Sequence, residues 1–354
     1  MEDNKENSQE NATEKNEDRE STIENNTSEE NKTNPNETKI KLPKIKLNFS
    51  GMKKIYEGQY KKLLIIPFML LLIAILLIGL KAAATGDFIN RDVSLKGGVT
   101  VTIPTEQKID ILQLEDIISK KFPKNDVSTK SLSQFGTQVG VIIDVDIGEE
   151  HREEHREEQI GILIEEIGKV LNLKLTTKDY SVEIVGSSLG ASFLREVVTA
   201  LLIAFLLMAI VVFLYFRTLV PSGAVILAAL SDILITLSIV NLLDIKLSTA
   251  GIAAFLMLIG YSVDTNILLS TRVLKRKEGT EMERIYGALK TGITMSLTTL
   301  IAMTAALIFT QSEIIKQIMI ILLIGLLVDL INTWIQNVGI LRLYLERKAR
   351  KAIQ

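Results

Sequence analysis

Three aspartates sit where an apolar environment is expected: Asp232 in "LSDIL", Asp264 in "LIGYSVDTNILLS" and Asp329 in "LLVDLINTW". Each lies inside an apolar run long enough to cross a bilayer, which takes about 20 residues of helix. A charged side chain at the centre of a membrane helix costs about 2.5–3.5 kcal/mol on insertion scales, so such residues face a bundle interior or a wet cavity. Loss of water disfavours the charged form of a carboxyl group, and a group that takes up and returns a proton is what a relay requires. Three aspartates at similar depth therefore point to a shared polar seam that handles protons or ions. Asn266 and Asn332 supply neutral partners, together with Gln336. Asp329, Asn332 and Gln336 recur at i, i+3, i+7 on one helix face. The competing explanation is structural: polar side chains hydrogen-bond helices together within a bilayer.

Other constellations carry less. "HREEHREE" holds both histidines of the chain, and His151, Glu154 and His155 match the H-x-x-E-H spacing of one zinc peptidase class. No further histidine or cysteine completes a site, so the tandem repeat is assigned to a solvated helix face with i,i+4 Arg–Glu pairing. No metal and no cofactor are expected. Gly97 and Gly98 open the strand-like "GVTVTI" and mark a turn or a close backbone approach, a structural motif rather than a chemical one. The small and hydroxylated residues of "TGITMSLTTLIAMT" suit close helix packing. The sequence has no Walker loop, dinucleotide fingerprint or nucleophile elbow, and nothing in it points to an enzyme.

The elements that must position the aspartates are apolar runs at roughly 63–80, 197–216, 220–242, 249–269, 292–310 and 317–339. Basic residues cluster before the first run, between the fourth and fifth, and after the sixth. If every run spans, these clusters share one side, which the positive-inside rule makes the cytoplasm. Both termini then lie there, in a multi-pass protein of the cell membrane. Residues 1–36 hold eleven Asp or Glu against four Lys or Arg, and so polar a segment is expected to stay disordered. The one large loop alternates strand-like and helix-like patterns in the order β-α-β-β-α-β. The divisions follow: an acidic cytoplasmic tail at 1–38, a basic juxtamembrane segment at 39–62, a first transmembrane helix at 63–80, an extracytoplasmic α+β domain at 81–195, transmembrane helices 2–6 at 196–340 and a basic cytoplasmic C-terminus at 341–354. The expected fold class is an α-helical membrane protein with six transmembrane helices and one ferredoxin-like (βαββαβ) extracytoplasmic domain between helices 1 and 2.

Three stretches carry a family resemblance: "DVSLKGGVTVTI", the run from "VEIVGSSLGASFLREVV" through "LAALSDILITL", and "LIGYSVDTNILLSTRV". Together they resemble SecF, of the SecD/SecF family within the resistance-nodulation-division superfamily, from about residue 55 to 345. "VDTN" and "DLINTW" are similar to the archaeal branch. The resemblance implies an accessory subunit of the Sec protein-export machinery that pairs with a SecD-like membrane protein. Its other partners would be the Sec translocon, an unfolded secretory polypeptide and membrane lipids, with no nucleic acid. In bacterial members, proton flow through the intramembrane polar residues is thought to drive movement of the outer domains. Two departures stand out. Bacterial members read Asn-Asp where this chain has Asp264 and Thr265, and they carry an arginine where it has Thr291. On this reading Asp264 is the first relay candidate and Asp329 the second, with Asp232, Asn266 and Asn332 beside them. The rival functions are a self-associating solute or lipid transporter of the same superfamily, and a translocon scaffold that transports nothing.

Overall fold

A computed structural model describes residues 58–123, 125–134, 137–146, 153–171, 175–276, 278–310 and 312–353. The acidic tail, most of the basic juxtamembrane segment and His151 lie outside the described residues. So do the side chains of Glu154 and His155, although both residues fall on a helix.

The helices are α1 (Tyr60–Leu63), α2 (Ile65–Thr85), α3 (Val93–Lys96), α4 (Ile111–Lys121), α5 (Glu153–Leu171), α6 (Ser187–Phe216), α7 (Leu219–Leu242), α8 (Thr249–Lys275), α9 (Glu281–Phe309), α10 (Glu313–Ile331) and α11 (Val338–Ile353). A π-helical segment, Asn332–Asn337, joins α10 to α11. Six of the resulting rods are long and apolar enough to cross a membrane: α1–α2, α6, α7, α8, α9 and α10–α11. Their ends follow local chemistry. Gly86 closes α2 in the left-handed conformation (φ 77°), as glycine does at little steric cost. The Ser248 and Ser312 side chains accept from Gly251 and Ile315 to start α8 and α10. Thr280 and Glu283 form a reciprocal capping box at the start of α9.

The apolar rods differ in what they bury. In each of α7 and α8, 56% of the spanning stretch is buried, against 11% or less in α2, α6 and α9. The aspartates of α7 and α10 therefore lie in the interior, where α7, α8 and α10 pack on one another. The other helices leave long apolar faces outward, as a hydrocarbon surround requires.

Strands β1 (Gly98–Pro104), β2 (Val127–Gln134), β3 (Thr137–Val145) and β4 (Ser181–Val185) form one antiparallel sheet in the order β2-β3-β1-β4. Val99, Val101 and Ile103 alternate onto its buried face and meet Val141, Ile143 and Val145. Leu114 and Ile118 of α4 and Leu163 and Ile167 of α5 close over them, which is the period-2 strand pattern answered by helical spacing. From β4 the chain passes through Gly186 directly into α6, a helix of 30 residues and about 45 Å long.

Several bonds fix the sheet to the bundle. Asp92 N–H donates to the Leu247 carbonyl at 2.9 Å, and Leu247 N–H donates to that of Asn90 at 2.7 Å. Lys246 pairs with Asp126 at 2.8 Å, and Lys316 donates to the Ser133 carbonyl at 3.3 Å. Gly97 and Gly98 make the closest approach. A Cβ on Gly97 would lie 2.5 Å from Ser187 Cα, and one on Gly98 2.5 Å from the Val145 carbonyl oxygen. Both glycines also have positive φ, 89° and 141°, which a side chain would strain.

Candidate functional site

The site is built where α7, α8 and the α10–π junction meet. Asp232 on α7 is fully buried and accepts two hydrogen bonds, from Ser262 Oγ at 2.5 Å and from Asn332 Nδ2 at 2.7 Å. The Asp329 carboxyl lies against that of Asp232, and its Oδ1 accepts from Thr333 Oγ1 at 2.9 Å. Asn266 Nδ2, one turn beyond Ser262, donates to the Ser262 carbonyl at 2.8 Å and to its hydroxyl at 3.2 Å. Asn337 Nδ2 donates to Asn266 Oδ1 at 2.6 Å. Gln336 Nε2 reaches Ser231 Oγ at 3.3 Å, and Ser231 in turn donates to the Leu227 carbonyl at 2.8 Å. A polar seam of such hydrogen bonds thus crosses three helices, and every side chain in it is 1% exposed or less.

The π segment shapes this seam. Its wider turn is a distortion found frequently at functional sites. Here it turns Asn332, Thr333, Gln336 and Asn337 all inward. The i, i+3, i+7 spacing of Asp329, Asn332 and Gln336 identified one edge of this face. Thr333 and Asn337 widen it, and Ser262 and Ser231 complete it from the facing helices. The signal for three of these was i,i+4 polar spacing: Ser262 to Asn266, Asp329 to Thr333, and Thr333 to Asn337; Ser231 stands only beside Asp232 in the sequence.

Asp264 does not join them. It is exposed, on the side of α8 that also carries exposed Met257 and Gly260. Ser262 and Asn266 both face Asp232, and at about 100° per residue Asp264 points roughly the opposite way. The expected seam of three aspartates is therefore a pair, Asp232 with Asp329, plus one outward carboxylate. Gly97 and Gly98 stand away from this chemistry, where the sheet root crosses the start of α6. Among the described residues, no group of three or more histidine, cysteine, aspartate or glutamate side chains is placed to hold a metal ion.

Residues 167–347 match the family described as protein export membrane protein SecD/SecF, C-terminal. The chain is 37% identical over 303 residues to the protein-export membrane protein SecF of Pyrococcus furiosus, covering 85% of this chain and 96% of that one. This chain belongs to the SecF family. A second SecF, from Methanocaldococcus jannaschii, is 38% identical over 299 residues, or 82% of this chain and 98% of the relative. The fold is similar to the crystal structure of SecDF, a translocon-associated membrane protein from Thermus thermophilus, with a TM-score of 0.62 at 19% identity. The match covers 82% of this chain but only 38% of that one. As a member of the SecF family, the protein is a membrane protein of protein export, and its buried seam lies within the part shared with the SecD/SecF family.

Proposed function

We propose that this chain is the SecF-type half of a two-part export device. It pairs with a SecD-like membrane protein beside the Sec translocon and promotes passage of an unfolded secretory polypeptide, using proton movement through the Asp232–Asp329 pair. The observation that carries this reading is the pair itself: two carboxyl groups in contact, fully buried, within a seam that contains no lysine, arginine or histidine. Like charges at such range cannot both persist without a counter-charge, so the two titrate as one unit that shares a proton. Adding or removing that proton changes what Ser262 and Asn332 donate to. It thereby alters the bonds holding α7 to α8 and to the π segment. On this reading the chain is a transporter component rather than an enzyme.

The position of Asp264 supports the partner. A carboxylate near the middle of α8 and open to hydrocarbon is unfavourable, so another membrane helix carrying a donor or cation covers that face. The similar SecDF chain is more than twice the length matched here, which leaves room for such a second half. On the positive-inside rule, the basic clusters support cytoplasmic termini and a ferredoxin-like sheet domain outside the cytoplasmic membrane.

The test is export of a secretory protein in cells carrying Asp232→Asn or Asp329→Asn, with the variant protein present at normal level. Each substitution keeps the shape and removes the proton exchange, and we expect at least a tenfold loss of stimulated export. Unchanged export would reduce the seam to helix-pairing contacts and leave a scaffold.

A further inference from the structure

The two edges of the sheet are finished differently. At β2, side chains take up backbone groups of the edge. Glu115 of α4 accepts from Thr129 N–H at 2.9 Å, Lys316 donates to the Ser133 carbonyl at 3.3 Å, and Lys246 donates to that of Val127 at 3.5 Å. The pairing of β2 with β3 also slips between Leu132 and Ser133. Such devices blunt an edge whose free N–H and C=O groups would otherwise pair with another chain. Strand β4 pairs in unbroken register, and among the described residues β1 is its sole strand neighbour. Ser181, Glu183 and Ile184 of β4 are exposed.

The side chains repeat the contrast. Val99 of β1 is fully buried, yet Ile184, opposite it in the pair, is 49% exposed. The helical layer therefore stops short of covering β4. Leu189 and Phe193, one turn apart at the start of α6, are exposed as well. They precede the exposed charges Arg195 and Glu196 and the apolar run that begins at 197, in a helix of 30 residues where about 20 cross a bilayer. Lipid around the spanning run does not account for them, and exposed apolar groups so near a free edge mark a binding surface.

Size and chemistry select the occupant. Five residues of strand give an edge about 17 Å long. With three apolar side chains beside it, this falls well short of the roughly 1,200–2,000 Å² that a stable protein interface buries. It suits a transient ligand, not a second copy of the chain or a permanent subunit. Strand addition reads main chain first and alternate side chains second, so it accepts many sequences provided that they are extended. The face of Ile184 calls for an apolar residue at every second position, and the face of Ser181 and Glu183 takes polar ones. We infer that the free edge of β4 holds an extended segment of the secretory polypeptide as an added strand, with its apolar side chains beside Ile184. This rests on the export reading above and names where the sheet domain meets the passing chain.

The experiment is thiol capture in cells, using the full-length chain, which has no cysteine of its own. Glu183→Cys supplies one thiol at the edge, and a secretory protein arrested in passage carries single cysteines at successive positions. An added strand turns alternate residues to one face. We therefore expect disulfide capture at every second position, at least fivefold above the positions between. Leu112→Cys, at a site 80% exposed on α4, measures chance encounter and should capture little at any position. A charge on the edge opposes pairing, so adding Ile184→Lys should cut capture at least fivefold. The period-two pattern from Glu183→Cys alone decides the matter should Ile184→Lys fail to fold. Capture without alternation, capture equal to that of Leu112→Cys, or capture of another membrane subunit in place of the secretory protein each overturns the edge site. Co-purification of the translocon with no thiol bond at the edge overturns this inference and leaves the export reading standing, whereas loss of both overturns both.

Discussion

Ser262 and Asn266 explain why Asp264 stands apart. They lie one turn apart on the face of α8 that meets Asp232, and a residue midway between them must point to the other side. An aspartate there has no role in the seam of this chain, yet it sits near the middle of a helix long enough to cross a membrane. Asp264→Leu replaces a costly group by one at home in lipid, so the chain alone should accumulate at least as well as before. Recovery of its membrane partner in mild detergent should nevertheless fall about tenfold, because the partner's donor then faces leucine. Full recovery of the partner by quantitative mass spectrometry would show that this face is not where the two halves meet.

At the scale of elements, the sheet carries a charge arrangement on the face that α4 and α5 leave uncovered. Lys130 of β2 pairs with Asp144 of β3 at 2.8 Å and with Asp92 at 3.3 Å. Burial acts to lower the Lys130 ammonium, but the charges and hydrogen bonds of Asp144 and Asp92 outweigh it and hold the group raised. Burial also raises Asp92, and Asp144 adds to that rise, while Lys130 works against it. Lys130→Met leaves two carboxylates facing each other with no cation between them. We expect it to weaken the sheet by about 3–5 kcal/mol near neutral pH, read as faster amide exchange on β1 and β3. The sign with pH is fixed. The raised lysine stabilises fully below its ordinary value of about 10.4, and that contribution fades as pH rises through the folded value. In the variant the loss should shrink as pH falls, because protonating the raised Asp92 removes the repulsion. A deficit that stays constant from neutral to acid pH would assign the effect to lost packing instead. The spans were readable from the sequence because 20 apolar residues in a row have few other destinies. Strands β1 and β3 were readable from Val and Ile alternation. The polar "VSTKSLSQ" of β2 gave only a weak signal, since its pairing with β3 holds it more than its own burial does. The π segment and the rotation of α8 were not readable. Both are set by which neighbouring helix each face meets, and a polar residue in an apolar run does not announce whether its complement lies inside its own chain.

On the scale of the whole molecule, the sheet is held at its root and along one strand. Strand β4 runs on into α6, and Gly97 lies against Ser187 so closely that no side chain fits between them. The backbone at Asn90 and Asp92 pairs with Leu247. The two ends of β2 rest on Lys246, in the loop that precedes α8, and on Lys316, in the first turn of α10. Each contact alone is modest. Asp126 is partly exposed, and although burial pushes it up, Lys246 and Lys96 hold it below the ordinary carboxylate range; such a pair contributes about 0.2–1 kcal/mol once screening is counted. Together they make the sheet ride with the N-terminal ends of α8 and α10, the helices that carry the seam further along. A change at Asp232 and Asp329 would then reach the sheet as a tilt of the whole domain, with no hinge opening between domain and bundle. Because the chain has no cysteine, this can be tested cleanly. Asp126→Cys with Lys246→Cys, joined by a short cleavable bis-maleimide, should leave export within about twofold of the unlinked protein. Export that stops on linking and returns on cleavage would mean that β2 must lift from the Lys246 loop in each cycle. The contacts seen here would then describe only one of two working states.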